Sequence, residues 1–139
     1  MQNTNNTTHI AEMLKLAKAI QNHSYSPYSH FRVGACIRDT NNKFHTGCNI
    51  ENASYSLTFC AEGSAIANMI NAGSYNISEI VIVGSSDKPC TPCGACRQHL
   101  REFANENILV HMFDQNGNGH TKTLNELLPD SFGPDFLRK

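Results

Sequence analysis

Two short cysteine motifs constrain this chain more than any other feature: Cys60-Ala61-Glu62 and, further on, Pro92-Cys93-Gly94-Ala95-Cys96. The polar, amide-rich start lacks the apolar stretch of a secretory signal and the arginines of a mitochondrial one. Without an export signal, six cysteines read as thiols for metal binding or catalysis rather than as disulfides. Cysteines so far apart can share an ion only if the chain between them leaves one end of the fold and returns to it. The intervening residues allow this. Ala61, Ala65, Ile66, Met69 and Ile70 recur at helical spacing until Asn71-Ala72-Gly73 supplies a stop. Ile80-Val81-Ile82-Val83-Gly84 is a continuous apolar run, as in a strand buried on both faces. Pro92 precedes another helix, with Leu100, Phe103 and Ala104 inward. A right-handed crossover returns this helix beside the first, with both motifs at helix N-termini. Such termini stabilise thiolates through free N–H groups and a positive dipole end.

Upstream, Ile10, Met13, Leu14, Ala17 and Ile20 predict a helix over residues 8–22, with Thr8 as N-cap and Glu12 in the first turn. Residues 1–7 are expected to form a flexible segment. Ser26-Pro27-Tyr28-Ser29 blocks continuation. Residues 31–37 and 43–50 then flank Asp39-Thr40-Asn41-Asn42 as a hairpin with a polar turn. Residues 108–113 read as a strand, 115–119 as a turn and 124–128 as a short helix. Helix, two strands, then alternating helix and strand predict an α/β fold with a mixed sheet covered by helices. A length of 139 residues with 40% hydrophobic content suits one domain spanning 1–139. A formal charge of −1 offers no footprint for a nucleic-acid backbone. No run approaches the roughly 20 apolar residues that span a bilayer. The expectation is a cytoplasmic protein with neither nucleic-acid nor membrane partner.

The second motif has two overlapping registers, because Pro89-Cys90-Thr91-Pro92-Cys93 also fits P-C-x-x-C. Pro92 disfavours helical geometry at Thr91, which favours Cys93 with Cys96. A redox pair is the competing use of a lone C-x-x-C. With Cys60, three thiolates leave a tetrahedral ion one open position, as in catalytic zinc; recruiting Cys90 or Cys48 would close it into a structural site. Glu62 sits where it could exchange protons with bound water, or it could merely favour the helix start. Cys36 and Cys48 read as small strand residues, and His30, His99 and His111 as structural or surface histidines.

Further blocks surround these motifs: Tyr28-Ser29-His30-Phe31-Arg32-Val33-Gly34-Ala35, Gly47-Cys48-Asn49-Ile50-Glu51-Asn52-Ala53-Ser54-Tyr55, Cys96-Arg97-Gln98 and Leu127-Leu128-Pro129-Asp130-Ser131-Phe132-Gly133-Pro134. Together they resemble the small, cysteine-ligated cytidine deaminases. The resemblance implies a three-layer α-β-α fold with a mixed five-stranded sheet, one zinc ion per subunit on Cys60, Cys93 and Cys96, and Glu62 as the catalytic proton carrier. It implies deamination of cytidine and 2′-deoxycytidine to the uridines, with release of ammonia, in pyrimidine salvage. Asn49 and Glu51 match a pair that binds the ribose, and Phe31 and Phe132 match aromatics near the nucleoside. Ile50, Asn52, Ala53, Ser54, Tyr55 and Ala61 complete the implied substrate-binding set. Similar enzymes are homotetramers in which Phe132 and Tyr55 would reach a neighbouring pocket. One position departs: the residue after the glutamate is usually arginine, and here it is Gly63. Arg97 is the nearest candidate to compensate the thiolate charge, and equally a structural or exposed arginine. Deamination of another amino-heterocycle, such as a nucleoside antibiotic or guanine, and a non-catalytic zinc module remain as alternatives.

Overall fold

The computed structural model describes residues 2–138, and the side chains of 9–138. Helix α1 (Gln2–Gln21) leads to strands β1 (Val33–Asp39) and β2 (Phe44–Cys48), then α2 (Ala61–Asn71), β3 (Ile77–Gly84), α3 (Gly94–Phe103), β4 (Ala104–Phe113), β5 (Gly119–Thr123) and α4 (Leu124–Leu127). Short 3-10 turns occupy Tyr55–Leu57 and Pro134–Phe136. The five strands form one mixed sheet in the order β2-β1-β3-β4-β5. β1 runs antiparallel to both β2 and β3, β4 is parallel to β3, and β5 is antiparallel to β4. Hence β2, β3 and β4 point the same way, and their C-terminal ends share one edge of the molecule. In open α/β sheets that edge is where ligands bind.

The apolar run in β3 forms its strand because both faces are covered. Ile80 and Ile82 pack with Ala65, Met69 and Leu100 on one side, while Val81 and Val83 pack with Met13, Ala17 and Cys36 on the other. Each of these β3 side chains is at most 1% exposed. Burial on this scale contributes about 2 kcal/mol per side chain. The three-layer architecture is therefore as expected. Polar groups between the strands are paired: Glu79 accepts from Arg38 Nε at 2.9 Å and pairs with His111 Nε2 at 2.7 Å, joining β1, β3 and β4.

Three elements differ from the sequence expectations. α1 starts at Gln2, so Thr8 lies within it and does not cap it. The expected flexible segment, 1–7, falls on residues whose side chains lie outside the described set. β5 occupies Gly119–Thr123, between the predicted turn and terminal helix. β4 begins at Ala104, directly after α3, through polar residues. No helix among the described residues is long and apolar enough to cross a membrane.

The β1–β2 turn is held by one buried carboxylate. Asp39 Oδ1 accepts from the N–H groups of Asn41 at 2.8 Å and Lys43 at 3.0 Å, and Oδ2 lies 2.8 Å from His45 Nε2. Burial alone would raise its pKa, but the hydrogen bonds from His45, Lys43, Ser74 and Asn41 outweigh it and hold the carboxyl well below the usual carboxylate range. A depressed folded-state pKa adds stability above the ordinary value of ~4, and that stability is lost as pH falls toward the folded value. Asp39→Ala should therefore cost about 2 kcal/mol in urea unfolding at neutral pH. The difference from wild type should shrink steadily below about pH 4.

Candidate active site

Both cysteine motifs start helices at the C-terminal edge of the parallel strands. Cys60 and Cys93 are the N-caps of α2 and α3, each with extended backbone and no side-chain capping bond, so both sulfurs remain available. The first helical hydrogen bonds run from Ser64 N to Cys60 O and from Arg97 N to Cys93 O, each at 3.0 Å. The N–H groups of the preceding first turns have no intrahelical acceptor. Gly47 lets β2 lie against the start of α2: a Cβ there would fall 2.2 Å from Ala65 N and 2.7 Å from Ala61 O. Any side chain at position 47 would push the Cys60 helix away from its place.

Cys96, in the first turn of α3 and 1% exposed, completes the group. Cys60 Sγ lies 3.9 Å from Cys93 Sγ, and the three sulfurs are all within 4.8 Å of one another. A tetrahedral zinc with Zn–S bonds of about 2.3 Å has sulfur–sulfur edges of about 3.8 Å. The residues fit the ion. Among the described residues this is the one such cluster, and it joins Cys93 and Cys96, the favoured register. A hydrogen bond from Cys96 brings the Cys60 thiol down to about 6 against its burial; Cys93 and the charge of His99 act in the same direction. The same bond, with burial, raises Cys96.

Glu62 follows on the same turn and is 4% exposed. Burial pushes its carboxyl up to about 7 against a hydrogen bond from its own amide, and charge on Cys60 adds to the rise. Together with Cys60 and Cys93 it lines a pocket of about 210 Å³ whose apolar walls include Phe31, Val33, Phe59 and Cys90. Sequence reasoning missed Val33, Thr58, Phe59, Cys90 and Thr91 as wall residues. The paired bonds between Ile50 and Phe59, both 2.9 Å, close the 51–58 loop and set Phe59 beside Cys60. Adjacency to a ligand cysteine was the only sequence signal for Phe59. Cys90 is raised to about 12, chiefly by burial and then by Glu62 and Cys60, as befits a protonated wall residue.

The remaining predicted residues divide into groups. Ala61 and Asn49 line the same pocket. Asn49 Oδ1 accepts from Ser24 Oγ and from Val33 N, and Nδ2 donates to Phe31 O at 2.8 Å, leaving one amide hydrogen. Glu51 and Tyr55 line an adjoining cavity of about 350 Å³, and Thr58 belongs to both. Glu51 accepts from Tyr28 N at 3.0 Å, Ser29 N at 3.1 Å and the Ser29 hydroxyl. Ile50 is 42% exposed at the base of the loop. Asn52, Ala53 and Ser54 are exposed on it, with Asn52 Oδ1 accepting from Ser54 N at 2.8 Å. Phe132 lines neither cavity; it stacks on Phe136 with centroids 4.9 Å apart. Arg97 donates to Pro92 O at 2.8 Å and Leu127 O at 2.7 Å, the hydrogen bonding of a structural arginine. At Gly63 nothing lies within 4 Å of where a Cβ would sit.

Three sulfurs at two helix starts, two of them on the wall of a pocket that a buried carboxyl also lines, form the donor set of an open, catalytic metal site rather than a closed structural one. A family model described as the cytidine and deoxycytidylate deaminase zinc-binding region matches residues 7–112. The chain is 34% identical over 128 residues to a cytidine deaminase of Sporosarcina psychrophila, covering 92% of this chain and 94% of that one. It is 37% identical over 120 residues to one of Halalkalibacterium halodurans, covering 86% and 91%. The solved cytidine deaminase from Burkholderia pseudomallei matches with a TM-score of 0.84 at 37% identity, covering 88% of this chain and 98% of that one. The chain belongs to the cytidine and deoxycytidylate deaminase family.

The geometry separates the two cysteine registers in a measurable way. Zinc per chain, measured by atomic emission after dialysis, should stay at the wild-type level in Cys90→Ala. It should fall several-fold or more in Cys96→Ala, because a ligand is lost.

Proposed function

We propose that the chain catalyses hydrolytic deamination of cytidine and 2′-deoxycytidine to the corresponding uridines, releasing ammonia. The observation that carries this reading is Glu62, buried beside three converging sulfurs and lining a pocket with aromatic walls. Family membership and the relatives' shared activity support it. A zinc ion on Cys60, Cys93 and Cys96, one per subunit, would supply Lewis acidity at its fourth position and lower the pKa of water there toward about 7. Glu62 takes a proton from the attacking water as the oxygen bonds to C4, and passes it to N3 of the base. It then moves the remaining hydroxyl proton to the amino group. The C4–N bond breaks, ammonia leaves, and the C4 carbonyl forms. A carboxyl poised near 7 suits transfers in both directions at neutral pH.

Phe31 and Phe59 offer flat apolar walls to the base. The free amide hydrogen of Asn49 and the carboxylate of Glu51 provide a donor and an acceptor for sugar hydroxyls, reached through the cavity that Thr58 shares. Neither lysine nor arginine lines either cavity, which favours a free nucleoside over its phosphate. Tyr55 is 77% and Phe132 55% exposed, as suits residues covered in a homotetramer whose pockets are shared. The whole chain acts as one domain, in cytoplasmic pyrimidine salvage.

Ammonia release from cytidine by zinc-loaded protein tests the activity. Glu62→Gln should lower kcat by roughly a thousandfold or more while zinc content stays at the wild-type level. Turnover within tenfold of wild type would overturn the role of Glu62.

Gly63→Arg places a cation in open space on the same helix turn. Positive charge favours the ionised carboxylate, so the acidic limb of the kcat/KM profile should move to lower pH. An unmoved limb would show that position 63 carries no electrostatic weight at the site.

A further inference from the structure

Helix α3 is used on two sides. Its first turn carries Cys93 and Cys96, and its following turns grip the C-terminal segment. Gln98 Nε2 donates to Phe132 O at 2.8 Å. Arg101 Nε donates to Ser131 Oγ at 2.8 Å, and Nη2 donates to Asp135 Oδ1 at 2.6 Å and Glu106 Oε1 at 3.2 Å. Arg101 thus holds the chain on both sides of Phe132, while Gln98 holds Phe132 itself. Arg101 is buried, at 7% exposure. Burying an arginine is unfavourable unless its planar fork meets acceptors in fixed positions, and here it does. Gly133 packs onto that plane: a Cβ there would lie 2.3 Å from Cζ and 2.4 Å from Nη1 of Arg101.

What this clamp presents is apolar. Phe132 and Phe136 stack with an interplanar angle of 26°, yet they are 55% and 63% exposed. An aromatic pair fixed by its backbone but left in solvent has the form of a contact surface awaiting its counterpart. None of the clamping residues lines the 210 Å³ pocket.

We propose that Arg101 is a positioning residue for substrate binding: by clamping Ser131 and Asp135 it sets the angle at which Phe132 enters the nucleoside pocket of a second copy of this chain. This rests on the reading above that Phe132 packs near the nucleoside. Arg101 acts through Phe132 and therefore on KM, whereas Glu62 acts on kcat.

The test is a double-mutant cycle on the zinc-loaded enzyme, with KM and kcat for cytidine measured in Arg101→Gln, Phe132→Ala and the double variant. Arg101→Gln should raise KM roughly fivefold to tenfold, as for loss of one aromatic contact, with kcat within about twofold and zinc content unchanged. Phe132→Ala should raise KM similarly, and the double variant should be no worse than Phe132→Ala alone. The chain has no tryptophan. Phe132→Trp therefore gives a single reporter whose emission should move to longer wavelength when Arg101→Gln is added. Should Arg101→Gln fail to fold, Gly133→Ala displaces the same guanidinium while leaving every hydrogen-bonding side chain chemically unchanged. If Phe132→Ala has a normal KM, the proposal falls with the reading on which it rests. If Phe132→Ala raises KM but Arg101→Gln does not, or if the two effects multiply, the proposal alone is overturned.

Discussion

Two positive helix ends meet at one edge of the sheet with three sulfurs between them, and the rest of the site depends on that convergence. Like poles repel, so bringing the starts of α2 and α3 together is favourable only when negative charge lies between them. The sheet makes the meeting possible. β2 and β3 point the same way on either side of β1, so the helices that follow them begin at the same edge. Gly47 fixes the distance by letting β2 touch the first turns of α2. A helix start is worth about 0.3–1 kcal/mol to an exposed charge and up to ~2 when partly buried. Two such starts, rather than a cation at Gly63 or a guanidinium aimed at sulfur, are the charge compensation visible at the site. Arg97 acts indirectly, bracing the Pro92 carbonyl just before Cys93.

Glu62 gains its character from the same arrangement. The turn that presents Cys60 also buries the glutamate, so desolvation and neighbouring negative charge both favour its protonated form. A shift from 4.5 to about 7 corresponds to about 3 kcal/mol, the difference between a permanent anion and a group that exchanges protons near neutrality. The fold thus sets the buried carboxyl by the same step that places the Cys60 sulfur beside it.

How much of this was legible in the sequence depended on whether side chains or backbone carried the signal. The β3 run, the hairpin around Asp39 and the helix starts at Cys60 and Cys93 could be read because apolar period, turn residues and proline position all agree there. β5 could not. All but the last residue of Gly119–Thr123 is exposed, and the strand exists through backbone pairing with β4. The first half of β4 was hidden because its residues 104–107 are polar or small and carry no apolar alternation. At the site, the cysteines and Glu62 were legible from spacing, whereas Phe59 and Cys90 come to the pocket through the Ile50–Phe59 bridge and the loop before α3. Asn49 and Glu51 were visible only as a likeness. Their internal hydrogen bonds to the segments around Phe31 and Ser29 show a structural duty that no motif expresses.

That duty bears on selectivity. A carboxylate that accepts two backbone N–H groups and a hydroxyl is held in its ionised form, with the Ser29 hydroxyl as the largest cause. It is also fixed in place before any ligand arrives, which lowers the entropy cost of binding. A neutral sugar can give Glu51 a hydrogen bond and lose only solvating water. A phosphate in the same cavity would meet that fixed anion with neither lysine nor arginine among the walls, and would surrender its own hydration as well. The family model spans both nucleosides and nucleotides in its description. The two classes of ligand differ by a charge, and in this chain the wall that would have to accommodate it already carries the same sign.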